Sequence, residues 1–176
     1  MSTYCTQLLN GIGLSCDHTM GGIKAVYIAN FADVDKVIEE DGVIIEITMK
    51  EGATFRKYQF RRNSASNMNS SRSGDDAAGT HSVTTNIAMT FSLMDTEKRK
   101  EMDKLSVGQL ICIVEDRNGM RWMPCTPYDD YMSMSAGEAS TGSTSSEANQ
   151  YSVTITGEAS HFPYEVDEDA FSAVIE

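Results

Sequence analysis

Between residues 81 and 91 the chain alternates without a break: Val83, Thr85, Ile87, Met89 and Phe91 are separated by Ser82, Thr84, Asn86, Ala88 and Thr90. A period of two sends successive side chains to opposite sides of an extended backbone, whereas a helix would scatter these positions around its circumference. The segment therefore reads as a strand with one face that packs and one that meets solvent or a partner. A strand of this kind needs neighbours, and the rest of the chain supplies them.

Turn signals recur along the sequence, and the segments between them favour β-branched and aromatic residues. Residues 23–31 (IKAVYIANF) form a first strand entered through Gly21-Gly22. Residues 43–49 (VIIEITM) form a second after Asp41-Gly42, and 54–62 (TFRKYQFRR) a third, with Glu51-Gly52 as the hairpin between those two. Residues 108–116 (GQLICIVED) are apolar on both faces, as a central strand is, and 151–157 (YSVTITG) alternate again. Asn118-Gly119 predicts a two-residue hairpin turn. Counting outward from it opposes Arg117 to Met120, Glu115 to Trp122 and Cys112 to Cys125, with Pro124 setting a limit at Met123. One helix is expected over 95–105 (DTEKRKEMDKL), with Asp95 as N-cap, Glu97 in the first turn, and Met102 and Leu105 on one side. The fold class that follows is mainly β: an antiparallel β-sandwich or small barrel with one flanking α-helix and a long projecting hairpin.

Four segments fall outside that frame within what reads as a single domain over 1–176. Residues 1–20 read as an N-terminal arm. Residues 63–80 are rich in Ser, Asn, Gly and Asp, and read as a polar loop or a long hairpin tipped by residues 74–79. Residues 132–149 are a Ser/Thr-rich stretch, read as a mobile loop or weak ribbon. Residues 158–176 carry acids without Lys or Arg, yet hold Phe162, Tyr164, Val166, Phe171, Val174 and Ile175. So apolar an acidic tail must dock, either on its own domain or on a neighbouring subunit.

Composition narrows the function. With 14 Lys and Arg against 26 Asp and Glu the formal charge is −12. Such a chain repels phosphate backbones, because nucleic-acid affinity rests on neutralising phosphates with cations; DNA can pass close by without sticking. No apolar run is long enough for a membrane-spanning helix, and residues 1–16 lack the pattern of a secretory signal. The four cysteines, at 5, 16, 112 and 125, suit reduced thiols better than a disulfide scaffold.

No catalytic, cofactor or metal site can be assembled. Cys16-Asp17-His18 offers two ligands without the second pair that zinc needs. Asp75 and Asp76 lack the spacing of a calcium loop, and Gly11-Ile12-Gly13 lacks the strand, helix and Lys-Ser/Thr of a phosphate loop. Arg56, Lys57, Arg61 and Arg62 form one basic cluster, either an edge-protecting solvated strand or a surface for the acidic tail of another copy.

The order GGIKAVYIANF, TFRKYQFRR, GDDAAGTHSVTTNIAMTFS, MDTEKRKEMDKLSVGQLICIVEDRNGMRW and YSVTITGEASHFPYEVDED resembles the tail-tube-like structural proteins of bacteriophages, in particular those of Bacteroides-infecting crAss-like phages. The resemblance runs over nearly the whole chain. It implies a virion subunit of the tail or neck, assembled in the host cytoplasm. Its partners would be copies of itself in a ring and adjacent neck or tail ring proteins, with DNA as non-specific cargo in the channel and no enzymatic activity. The expected contact residues between copies are Arg56, Arg61, Arg62, Asp75, Asp76, Phe162, Tyr164 and Phe171. A carbohydrate-binding or adhesion-type β-sandwich module is the alternative.

Overall fold

The computed structural model describes residues 9–62 and 64–175. In chain order the elements are β1 (Ile23–Asn30), β2 (Val34–Glu40), β3 (Val43–Met49), β4 (Arg56–Gln59), β5 (Asn67–Ser73), β6 (Ser82–Ser92), α1 (Thr96–Val107), β7 (Leu110–Asp116), β8 (Arg121–Met123), β9 (Ser133–Ser140), β10 (Gln150–Ala159), β11 (Tyr164–Val166) and α2 (Glu168–Ser172). They form two open sheets, a seven-stranded mixed sheet in the order β2-β3-β11-β8-β7-β1-β4 and a four-stranded antiparallel sheet in the order β5-β6-β10-β9. The chain is mainly β, and among the described residues neither sheet closes into a barrel. No helix among them is long and apolar enough to cross a membrane.

The unbroken apolar runs of β1 and β7 place them side by side in the seven-stranded sheet, buried on both faces. On one face Val26, Ile28, Cys112 and Val114 meet Ile87, Met89, Val153 and Ile155 of the four-stranded sheet, so the two sheets share a core. On the other face Ala25, Tyr27, Ile111 and Ile113 pack with Val37, Ile44, Ile47, Phe55 and the C-terminal residues Val166, Phe171 and Val174. Helix α1 begins at Asp95, whose carboxylate accepts from the Lys98 backbone N–H at 2.8 Å, and it buries Leu105.

Several pairings differ from the sequence expectation. The Asp41-Gly42 turn joins β3 to β2, a strand the pattern did not disclose; both residues have positive φ, 53° and 83°, as a type I′ hairpin requires. Strand β4 pairs with β1 rather than β3, so Glu51-Gly52 closes no hairpin. The β7–β8 register is one residue off, with Val114 opposite Trp122 and Glu115 opposite Arg121. Asp116 N–H donates to the Met120 carbonyl at 2.9 Å, which makes a three-residue loop of Arg117-Asn118-Gly119 with Gly119 alone at positive φ. The Asp116 carboxylate holds that loop by accepting from the N–H groups of Asn118 and Met120 at 2.8 and 3.0 Å. Cys112 and Cys125 are therefore not a cross-strand pair; both are buried free thiols.

Residues 132–149 also differ: 133–140 are strand β9, paired along β10, and Met132 is fully buried beside Leu110. The acidic tail docks on its own domain. Strand β11 lies between β3, to which it is parallel, and β8, to which it is antiparallel.

Candidate functional site

The outward face of the four-stranded sheet is a surface made of one kind of chemistry. On β6 the alternation that buries Val83, Ile87, Met89 and Phe91 turns Ser82, Thr84, Asn86, Ala88 and Thr90 the other way. Their partners across the β10 ladder are Glu158, Thr156, Thr154 and Ser152, opposite Thr84, Asn86, Ala88 and Thr90. Across the β5 ladder they are Ser73, Ser71, Asn69 and Asn67, opposite Ser82, Thr84, Asn86 and Ala88. Residues directly opposed in a ladder share a face, so all of these belong to one surface. On β9, Ser140 and Glu138 face Gln150 and Ser152 of β10 and join it.

A row of hydroxyl and amide groups crosses this face. Ser135 and Thr156 hydroxyls lie 2.7 Å apart, and the Thr156 hydroxyl donates to the Asn86 side-chain oxygen at 2.7 Å. Among these outward positions the charges are the carboxylates of Glu138 and Glu158; no Lys, Arg, aromatic or large aliphatic side chain occurs. The surface is a hydrated layer of small polar groups that offers no cation to a phosphate.

Strands β5 and β6 form a hairpin that lies within the four-stranded sheet, paired from Asn67–Ala88 to Ser73–Ser82, and its connecting residues 74–81 are exposed. Its tip is an organised turn. The Asp75 carboxylate accepts from the Ala77 N–H at 2.8 Å, and the Asp75 N–H donates to the Thr80 hydroxyl at 3.0 Å. Arg72 reaches Asp76 at 3.7 Å and donates to His81 Nδ1 at 3.0 Å. The ribbon thus combines both signs of charge at its end.

The residues expected at contacts between copies do not fall on one patch. Asp75 and Asp76 sit at the ribbon tip, Arg61 and Arg62 on the exposed connection after β4, and Arg56 at the start of that strand. Phe162 is exposed, but Tyr164 is half-buried and stacked on His161 at 4.0 Å between ring centroids. Phe171 is a correction. It is buried in its own core, edge-on to Tyr27 at 4.8 Å, with the Arg121 guanidinium 4.7 Å from its ring, and has no surface left for a partner. The tail also lies against its own chain beside the basic cluster. The Phe55 N–H, next to Arg56, donates to the Val174 carbonyl of the same chain at 2.9 Å.

The titratable groups with unusual surroundings serve the fold. Burial, and then the Glu115 carboxylate that its hydroxyl donates to, push Tyr27 up to about 12. Burial followed by nearby carboxylates pushes the Cys125 thiol up to about 12, and burial raises Cys112 as well, so neither offers a thiolate near neutrality. His161 faces two acceptors, Asp129 at 2.9 Å from Nε2 and the Phe162 carbonyl at 2.8 Å from Nδ1. Burial tends to raise Asp129. The Thr126 backbone N–H, His161 and the Thr126 hydroxyl outweigh it and hold the carboxyl below its ordinary range. Both ring nitrogens are engaged, so this group is a latch between two loops rather than a base beside a nucleophile. A cleft of about 780 Å³ beside β4 and α1 is lined by Lys50, Lys57 and Lys104 together with Asp33, Glu51 and Glu101, and the Tyr58 hydroxyl donates to Glu101 across it. Among the described residues no three His, Cys, Asp or Glu side chains are grouped to hold a metal ion.

Comparison of the chain with protein-family models, with curated proteins and with solved structures returned no significant match.

Proposed function

We propose that this chain is a structural subunit that joins copies of itself into a ring or tube of a phage tail or neck, through which DNA passes. The observation that carries the reading is the outward face of the four-stranded sheet, flanked by two terminal strands, β5 and β9. A channel for duplex DNA must be wettable and must not hold phosphates. Ser, Thr and Asn with a few carboxylates and no cation meet both conditions, and the overall charge of −12 adds long-range repulsion. In this reading the two sheets are the layers of a sandwich, with the four-stranded layer turned to the lumen. The exposed connection 74–81 at the end of the β5–β6 hairpin reaches an adjacent copy or ring.

Negative-stain images and sedimentation of the purified protein at micromolar concentration test the assembly. Annular particles are expected, and a stable monomer refutes it. The lining is tested with Thr84→Lys and Thr154→Lys together: the particles persist but now retard duplex DNA in a low-salt gel, whereas the parent protein does not. Retardation by the parent protein would place cations in the channel and sink the assignment of this face.

The alternative, a glycan-binding module, draws on Tyr128, Tyr131 and Phe162, exposed on the loops that the His161–Asp129 pair ties together. Hits on a glycan array that vanish with Tyr128→Ala would favour it.

A further inference from the structure

We propose that residues 9–20 of one copy pack their apolar side chains into a groove between α1 and β9 of the next copy, making the ring a chain of exchanged arms. The inference rests on the assembly reading above and names the contact that would drive it. Leu9, Ile12 and Leu14 are 96%, 103% and 97% exposed, so they pack against nothing among the described residues of their own subunit. Three aliphatic side chains so close in sequence and wholly in water are a surface in search of a cover.

The base of the arm is fixed. The Met20 N–H donates to the Asn118 side-chain oxygen at 2.8 Å, and the Asn118 amide donates back to the Met20 carbonyl at 3.1 Å. Met20 also lines a cavity of about 250 Å³ together with Asn67 and Met68. The arm therefore leaves the subunit beside β5, one edge of the four-stranded sheet. A second groove, of about 230 Å³, lies at the opposite edge, where Met102 of α1 faces Met134 and Gly137 of β9 and Tyr151 and Val153 of β10, with Asp103 and Glu138 also in its lining. Its methionines are suited to fitting an irregular aliphatic guest. Gly137 keeps it open, because a Cβ there would come within 3.1 Å of the Met134 sulfur.

Donor and acceptor are thus on opposite edges of one sheet. Copies placed side by side with β5 facing β9 bring each arm to the next groove, and a head-to-tail contact of this kind closes into a ring when the rotation allows. Twelve residues extended span about 40 Å, ample to cross such a junction.

The test uses the full chain. Leu9→Ser, Ile12→Ser and Leu14→Ser together should leave the urea midpoint of the dilute monomer unchanged, since these side chains make no contacts within it. The concentration at which rings half-dissociate should rise roughly a hundredfold. Separately, Met134→Cys places a thiol in the groove, and the native Cys16, exposed in the arm, is its reporter. Rings assembled from mixed light and heavy isotope copies are treated with a short bismaleimide. Peptides joining Cys16 to the introduced thiol in mixed-isotope pairs are expected. Cross-links confined to single-isotope pairs would mean that each arm covers its own groove, and would overturn the exchange. Rings that form normally with the triple variant and give no cross-link would overturn it while leaving the assembly reading intact. Absence of rings from the parent protein would overturn both.

Discussion

Replacing Phe171 by Ala tests whether the tail belongs to its own domain. The side chain is 5% exposed, edge-on to Tyr27, and lies beneath the Arg121 guanidinium. Truncating a buried Phe costs about 3–5 kcal/mol through lost transfer energy and the cavity left behind. The ring pair with Tyr27 accounts for about 0.5–1.5 kcal/mol of aromatic contact. With a urea slope of about 2 kcal/mol per molar, the midpoint should fall by about 1.5–2.5 M. Phe162→Ala, at an exposed position in the same tail, should stay within about 0.5 kcal/mol of the parent. Hydrogen exchange at the Phe55 N–H, which donates to Val174, should accelerate in the Phe171 variant alone. A loss below about 1 kcal/mol, or equal effects at both positions, would show that the tail is not seated on Tyr27.

Gly157→Ala should destabilise by about 1–3 kcal/mol in the same urea assay, because a Cβ there would lie 2.6 Å from Met132 Cγ and 2.8 Å from Cys125 Sγ. The depressed Asp129 carboxyl contributes stability that is complete above the unfolded value near 3.9 and is lost as pH falls through its lower folded value. Urea midpoints measured from pH 7 down to pH 2 should therefore decline below about pH 4, and Asp129→Asn should flatten that decline. Iodoacetamide at pH 8 should label Cys16 while Cys112 and Cys125 stay protected until the chain unfolds, as peptide masses would report.

The parts of the fold that could be read in advance are those where local chemistry and tertiary demand agree. The strict alternation of β6, the double-sided apolar run of β7 and the Asp95 cap each appear where expected. Strand β9 could not be read, because Ser-Met-Ser-Ala-Gly-Glu-Ala-Ser has little intrinsic β preference and is extended only through the ladder that β10 offers. In β2, Val34 and Val37 are three apart, which suggests no strand; a register shift between Val34 and Lys36 breaks the alternation. The β7–β8 register turned on one carboxylate, Asp116, whose capture of two backbone N–H groups favours a three-residue loop over the two-residue turn that Asn-Gly suggests. Of the candidate surfaces, the polar face of β6 was visible as half of an alternating pattern. The opposed rows on β5, β9 and β10 needed the pairing of distant strands. Phe171 was misplaced because greasiness in a tail announces that it must be covered, not by what.

The strand between β3 and β8 comes from residues 164–166, so residue 43 acquires its ladder neighbour, residue 165, only when more than 120 further residues have been made. Until then the larger sheet exists as two fragments with unsatisfied backbone edges facing one another across a gap. A polypeptide stopped short of Tyr164 would offer those edges to proteases and to other incomplete chains, while lacking the lid over its second core. A truncation late in the chain would thus expose both edges at once, and with them the apolar residues of the second core.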